Sequence, residues 1–370
     1  MDWLTATEAL TLLGTQPQTL YANVSRGRIK ARPDPSDSRR SLYRGDDVRR
    51  LAQRATGRRK QETVASEAMR WGEPVLPTAL STVRDGILLY RGIDARDLAE
   101  TGTLESVATL LWQSAVSLPR VPVRGHGLPA AFSALAARAA NAPAAPRARF
   151  ALVRDANEIM GTMAAALAGE RVSDPLHDRL ATQWERPEAA DVIRRALVLL
   201  ADHELNSSTF SARVTVSTGA SLWSGTLAAL ATLRGPLHGL ASPAVGALVD
   251  DVGHQDFVET ALRDWLGEGR ALPGMGHRLY PEGDVRCRAL LASFEPPPAF
   301  ADYLRAASRL TGDEPNIDFA LAAMIARFDL PADAGITIFA LGRTVGWLAH
   351  MMEQVASGEQ IRPRARYVGV

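Results

Sequence analysis

Apolar residues recur along most of this chain at helical rather than strand spacing. The clearest stripe is Ile338, Leu341, Val345, Leu348 and Met352, with a period near 3.5 and with Gly342 and Gly346 on the same helix, where they let another helix come close. Leu104, Val107 and Leu111 share a face, as do Ile193, Leu197 and Leu200 within a helix expected over 189–205. Helical patterning also covers 150–167, and a small-residue helix over 217–233 leads towards His238. Residues 115–147, with five prolines, predict a loop followed by an Ala-rich helix. Strand signals are few. Leu80–Val83 and Gly86–Tyr90 flank an Asp85-Gly86 turn and predict a hairpin, with Asp94 and Thr103 placed to cap the next two helices. The expected class is therefore mainly α: a two-domain helical body, with a small module in front.

That module reads as residues 1–60. Thr5 to Glu8 forms a capping box for a helix ending at Leu13, Gly14 stops it, and Gln16-Pro17 starts a second helix. Turn-forming Pro33-Asp34-Pro35 lies among Arg28, Lys30, Arg32, Arg39 and Arg40, and Ser41–Arg44 predicts a strand. A further helix begins at Asp46-Asp47-Val48. This order resembles the winged helix-turn-helix of MerR and excisionase proteins, which implies a DNA partner. A packing module that touches only protein is the other reading. Residues 57–62 are the expected linker.

Charge sharpens the division. The net charge of the whole chain is +1, yet residues 1–60 hold 13 Lys/Arg against 6 Asp/Glu, a balance of +7, so the remainder carries −6. Aromatic residues are only 6% of the chain, so alanine and leucine carry the apolar load, which favours helices. The single cysteine, Cys287, excludes an internal disulfide framework and fits a cytoplasmic location. No secretory start and no apolar run of membrane-spanning length is visible. With one cysteine and no His-x-x-x-His pair, no metal site is expected.

Candidate chemistry gathers between residues 202 and 318. Asp202-His203-Glu204, Gly235-Pro236-Leu237-His238-Gly239 and Gly274-Met275-Gly276-His277-Arg278 hold three of the seven histidines. Asp284-Val285-Arg286 and Pro315-Asn316-Ile317-Asp318-Phe319 follow. Imidazoles can polarise carbonyl groups, a carboxylate can take a proton, and guanidinium forks grip carboxylates in bidentate fashion. Taken singly, these residues have ordinary readings too: His203 as the C-terminal residue of a helix, and Asp318 as a helix N-cap.

Together with Ala340 to His350 and Arg362 to Gly369, these blocks resemble the citrate synthase family, in the family's order over roughly residues 80–370. The resemblance implies Claisen condensation of acetyl-CoA with oxaloacetate and hydrolysis to citrate and CoA, with no cofactor. It implies Asp318 as base, His238 as hydrogen-bond donor to the thioester oxygen, and His277 as the group polarising the oxaloacetate carbonyl. His203, Arg286, Arg343 and Arg362 would bind oxaloacetate, Arg362 reaching the partner subunit of a homodimer, and Gly274, Met275 and Gly276 would contact CoA. His350 carries no catalytic assignment. A large domain (61–235 and 326–370) and a small one (236–325) are expected. Ser242 stands where the family commonly has Asn, and Ala320-Leu321-Ala322 replaces Tyr-Ser-Gly. Propionyl-CoA, giving 2-methylcitrate, is therefore an alternative, and a DNA-binding metabolite sensor on a synthase body is another.

Overall fold

The computed structural model describes residues 2–13, 17–25, 27–35, 37–49, 76–145, 148–169, 174–252, 258–365, 367 and 369. The expected stop at Gly14 and the linker at 57–62 lie outside them. The chain divides into two compact units, one of residues 1–77 with 363–370 and one of residues 78–362.

The first unit holds β1 (Trp3–Leu4), α1 (Ala6–Leu13), α2 (Pro17–Ser25), β2 (Ala31–Asp34), β3 (Asp37–Arg44) and α3 (45–49). The capping box forms: Thr5 N donates to Glu8 Oε2 at 2.8 Å and Glu8 N to Thr5 Oγ1 at 3.3 Å. The strands pair antiparallel in the order β1-β3-β2. Beneath them Ala9, Leu20, Ile29, Tyr43 and Val48 make a core of their own.

The second unit begins with the expected hairpin, β4 (Ser81–Arg84) and β5 (Ile87–Tyr90), turned at Asp85 and Gly86, both with positive φ, and followed by β6 (Ile93–Asp94). Helices then run α4 (Ala95–Thr101), α5 (Leu104–Trp112), α6 (Gly127–Asn141), α7 (Arg149–Ala168), α8 (Leu176–Gln183), α9 (Ala190–Leu199), α10 (Ser207–Ser217) and α11 (Leu222–Leu233). Next come α12 (Ala241–Val252), α13 (Val258–Gly267), α14 (Val285–Leu291), α15 (Pro298–Thr311), α16 (Ile317–Phe328) and α17 (Ala334–Ser357). Asp94 caps α4 and Thr103 caps α5.

Helix α17 is the spine. Nearly all of its residues are buried, and α5, α7, α9, α10 and α11 pack around it. Its two glycines act as their spacing suggests. A Cβ at Gly342 would stand 3.0 Å from Leu197 O, and one at Gly346 2.5 Å from Ala201 O. The end of α9 and the residues after it therefore lie directly on the backbone of α17.

Two expected elements differ. The helix expected over 189–205 stops at Leu199, because tertiary groups claim its carbonyls. Tyr90 Oη lies 3.1 Å from the carbonyls of both Val198 and Leu199, and Arg343 Nε donates to that of Leu200 (2.9 Å). His203 is thus a loop residue, not a helix end. The helix expected over 217–233 is interrupted: Gly219 takes φ 90°, and Ser221 caps α11 by accepting from Ser224 N.

Replacing Gly346 by alanine should lower stability by about 1–3 kcal/mol, since backbone rather than a flexible side chain must yield. Gly246→Ala, within α12 with nothing inside 4 Å of the added carbon, should be neutral or stabilising. Melting temperatures of the two variants check this contrast.

Candidate active site

His203 lies in the loop between α9 and α10, buried, with its Nε2 2.9 Å from Tyr280 Oη. Its ring meets the His277 ring edge-on, with centroids 5.3 Å apart. His277 and Tyr280 belong to the loop before α14, and their rings are 5.0 Å apart. Leu279 N donates to His277 Nδ1 at 3.2 Å, so in the neutral ring the hydrogen sits on Nε2, which can donate to a ligand.

Arg286 is 2% exposed, and its guanidinium stands 5.4 Å from the Tyr280 ring centre. Asp284 holds it bidentately, accepting from Nε at 3.0 Å and Nη2 at 2.7 Å. The same carboxylate caps two helices, accepting from Arg286 N on α14 (3.0 Å) and Ile317 N on α16 (3.0 Å). One side chain thus ties Arg286 to the helix that carries Asp318. Asn316, not Asp318, is the N-cap of α16: Asp318 N donates to Asn316 Oδ1 at 3.0 Å. That capping bond leaves the Asp318 carboxyl uncommitted, and its Oδ1 is shielded from solvent with no partner among the described residues.

His238 sits in the turn after α11, held by His238 N to Gly235 O and Gly239 N to Leu233 O, both 2.9 Å. Its Nε2 is 2.9 Å from Ser208 Oγ. Ser208 also accepts from Trp347 Nε1 (3.1 Å) and donates to Asn206 Oδ1 (2.7 Å). Asn206 Oδ1 takes the Thr209 N–H as well, which fixes the orientation of the amide. With the hydroxyl proton on Asn206, His238 Nε2–H must be the donor. Turning the hydroxyl to His238 reverses that role and moves the ring's own hydrogen to Nδ1.

From His238 the Phe339 ring lies 5.8 Å away, and Arg343 sits 4.9 Å over that ring. Arg343 is 1% exposed and donates Nε to Leu200 O, but its Nη2 is buried with no partner among the described residues. An unbridled buried guanidinium nitrogen is costly unless an anion reaches it.

Electrostatics follow from this packing. Burial, reinforced by Arg343, pulls His238 down to about 4. Burial and Arg286, against Asp284, pull His277 down to about 4. Burial, with Arg286, Arg343 and the other two histidines, drives His203 well below its usual value. All three imidazoles are therefore neutral at pH 7. Burial raises Asp318 to about 7, with Arg286 opposing and Asp284 adding to the rise. Burial lowers Arg343 to about 10, Asp202 opposing and Arg286 adding to the fall.

Gly274, Met275 and Gly276 lie against 314–316. Asn316 N donates to Gly274 O (2.8 Å), Gly276 N to Glu314 O (2.8 Å), and Asn316 Nδ2 to Gly276 O (2.9 Å). Those glycine groups are already bonded within the chain. What the segment offers a ligand is its surface along a cavity of about 400 Å³, lined also by His277, Arg278, Tyr280, Asp313 and Glu314. Gly274 has its own reason to be glycine: φ is 77°, and a Cβ would press within 2.8 Å of Val245.

Contacts thus link His203, His277, Tyr280, Arg286, Asp284 and the start of α16 in one series. His238 and Arg343 form a second through Phe339, and the charges of Arg286 and Arg343 both act on His203. Arg362 is part of neither. It is exposed, near the end of the second unit. Four contributing residues had no assigned role in the sequence: Ser208, Tyr280, Asp284 and Asn316. Tyr280, Asp284 and Asn316 stand two or three residues from an assigned one and Ser208 five after His203, and that nearness was the available signal. Among the described residues no His/Cys/Asp/Glu group could hold a metal ion, and no helix is long and apolar enough to cross a membrane.

A family model for the citrate synthase C-terminal domain matches residues 118–364. Citrate synthase 2 of Bacillus subtilis is 36% identical over 196 residues, which is 50% of this chain and 52% of that protein. The Haloferax volcanii citrate synthase is 40% identical over 191 residues, 49% of this chain and 50% of that protein. The chain spans about half the length of these two relatives. A Synechocystis citrate synthase is 31% identical over 368 residues, 82% of this chain and 92% of that protein. Among solved structures, a citrate synthase from Thermoplasma acidophilum, in ternary complex with carboxymethyl coenzyme A and oxaloacetate, superposes with a TM-score of 0.70. It is 27% identical and covers 81% of this chain and 95% of its own. A Pyrobaculum aerophilum citrate synthase gives 0.68 at 25% identity, covering 80% and 91%. The extent of the family match, the near full-length relative and the shared fold agree: this chain belongs to the citrate synthase family.

Proposed function

We propose that the chain condenses acetyl-CoA with oxaloacetate and hydrolyses the resulting thioester to citrate and CoA. The observation that carries this reading is the pair of buried guanidinium groups beside neutral His203, with Arg286 also acting on His277 and an Arg343 nitrogen without a partner among the described residues. Such a pocket suits a small dicarboxylate. Arg286, Arg343 and His203 grip oxaloacetate, and His277 Nε2–H polarises its ketone oxygen.

Asp318 takes a proton from the thioester methyl. His238 stabilises the enol by donating to the thioester oxygen, for which Ser208 turns its hydroxyl onto Nε2 so that Nδ1 carries the ring hydrogen. Each such preorganised donor contributes roughly 3–4 kcal/mol in comparable sites. The enol carbon then attacks the ketone carbon: the C–C bond forms as the thioester carbonyl is restored and the ketone π bond breaks. The ketone oxygen becomes a hydroxyl by taking the His277 Nε2 proton, which the proton removed by Asp318 replaces through solvent. Water cleaves the thioester, releasing CoA as its thiol. No cofactor enters these steps. CoA lies along the Gly274–Gly276 cavity, and a small domain (236–325) closes against a large one (61–235 and 326–370). In a cytoplasmic homodimer, exposed Arg362 completes the partner's site.

A propionyl-CoA reading has its own support in Ala320 and Ala322, both buried, and in Ser242, whose Oγ is buried without a partner among the described residues. Residues 1–60 we read as a winged helix-turn-helix that binds DNA. Support comes from two helices and a β2–β3 hairpin over a separate core, the +7 balance, and exposed Arg28, Lys30 and Arg40.

Thiol release from acetyl-CoA and from propionyl-CoA, each with and without oxaloacetate, tests the reaction. Oxaloacetate-dependent release is expected, and its absence with both thioesters overturns the assignment. Asp318→Asn should lose about 10²–10⁴-fold in kcat. Its stability should change with a definite sign. The folded carboxyl holds its proton up to about pH 7, whereas the unfolded one releases it near 3.8, so this group's contribution is lost as pH rises through 7. The variant should therefore melt higher than wild type at pH 8, with the gain fading towards pH 4. For the wild type, kcat/KM for the thioester should rise through one ionisation near pH 7. Arg343→Lys should raise KM for oxaloacetate roughly 10- to 150-fold, the worth of a charge-assisted hydrogen bond. Binding of the full chain to duplex DNA should weaken steeply between 50 and 200 mM salt, and salt-insensitive or absent retardation in a gel overturns the DNA reading.

A further inference from the structure

We propose that Ser81 and Glu204 are positioning residues for His203: the β4–β5 hairpin grips the residues on either side of that histidine and so sets the affinity for the oxoacid. This inference rests on the oxaloacetate-binding reading above.

The grip is two-sided. Ser81 Oγ donates to Asp202 Oδ2 at 2.5 Å and accepts from Glu204 N at 3.1 Å, spanning His203 with one hydroxyl. Glu204 returns the contact, its Oε1 accepting from Val83 N at 2.5 Å and Thr82 Oγ1 at 3.0 Å. From the far end of the hairpin, Tyr90 Oη accepts from Asp202 N (3.2 Å) and lies 3.1 Å from Asp202 O. All these partners come from a stretch some 110–120 residues earlier in the chain.

The hairpin is itself anchored to α17. Glu353 accepts from Ala79 N at 2.8 Å and from Arg213 at 3.1 Å, and His350 Nε2 lies 3.0 Å from Asp202 Oδ2. Arg343, on the same helix, reaches back to Leu200 O. The loop bearing His203 is thus clamped between the hairpin and the helix that supplies an oxyanion ligand.

Glu204 also occupies the left-handed region, at φ 50°. A residue other than glycine is held there by its surroundings. Here the enforcing bonds run through its own carboxylate and its own N–H. Loosening them lets the 202–204 backbone relax, which shifts the His203 ring relative to Arg286, Arg343 and His277. The acyl-CoA side, built on 274–276 and α16, shares none of these bonds.

Ser81→Ala, Glu204→Ala and Glu204→Gly are compared with wild type and with Ser81→Thr, which keeps the hydroxyl. KM for oxaloacetate and for acetyl-CoA, kcat, and the oxaloacetate Kd by calorimetry without CoA are measured. Ser81→Ala and Glu204→Ala should raise KM and Kd for oxaloacetate about 5- to 10-fold, the effect of one lost hydrogen bond. KM for acetyl-CoA should stay within about twofold, and Ser81→Thr should restore wild-type values. Glu204→Gly should show the same loss although its backbone is relieved. Half-buried Glu204 keeps the test open should Ser81→Ala fold poorly. Unchanged oxaloacetate affinity in both Glu204 variants overturns the inference, as does an equal rise in both KM values. Wild-type protein that does not bind oxaloacetate at all overturns instead the reading on which the inference stands.

Discussion

A single buried carboxylate, Asp284, organises the candidate site of this molecule. It accepts four hydrogen bonds, two from the Arg286 guanidinium and one each from the first turns of α14 and α16. Burial alone would push its proton affinity up, but Arg286 overrides this and holds the carboxyl below its ordinary value, so it stays ionised. The pair is bidentate and saturated with partners, the condition under which a buried ion pair is tolerated. Removing Asp284 would free the arginine and uncap two helices at once.

Neighbouring groups take opposite electrostatic roles for geometrical reasons. Asp284 is ionised because four donors face it. Asp318, in the first turn of α16, has an oxygen shielded from water without a donor among the described residues, and burial raises its carboxyl to about 7. Two carboxylates with separated proton affinities are a common basis for dividing structural from chemical work. The histidines remain neutral because burial and nearby guanidinium groups both disfavour a second positive charge. Neutral imidazoles can donate hydrogen bonds without repelling the arginines.

Helix α17 supplies the rigidity for this arrangement. Its glycines admit the end of α9, its Trp347 orients Ser208 behind His238, and its His350 meets Asp202 beside His203. His350 is completely buried on this helix, and its ring also takes part in holding the loop. The network is satisfied almost throughout. Its exceptions include Arg343 Nη2 and Asp318 Oδ1, two groups that the proposed reaction uses.

Much of this was determined by the sequence alone. Periodicity marked α5, α7 and α17, local capping chemistry marked Asp94 and Thr103, and the Asp-Gly turn marked the β4–β5 hairpin, because each depends on residues within a few positions of one another. The motif blocks likewise placed His203, His238, His277, Arg286, Asp318 and Arg343 in the family's order. Tertiary structure decided what depends on partners distant in the chain. Tyr90 and Arg343 end α9 early and turn His203 from a helix end into a clamped loop residue. Asn316 takes the capping role that Asp318 could have filled, and Asp284 joins two helices that local sequence cannot relate. Hydrogen-bond partners a hundred residues away leave no periodic trace, so the chemistry of these side chains became legible only once the fold had brought them together.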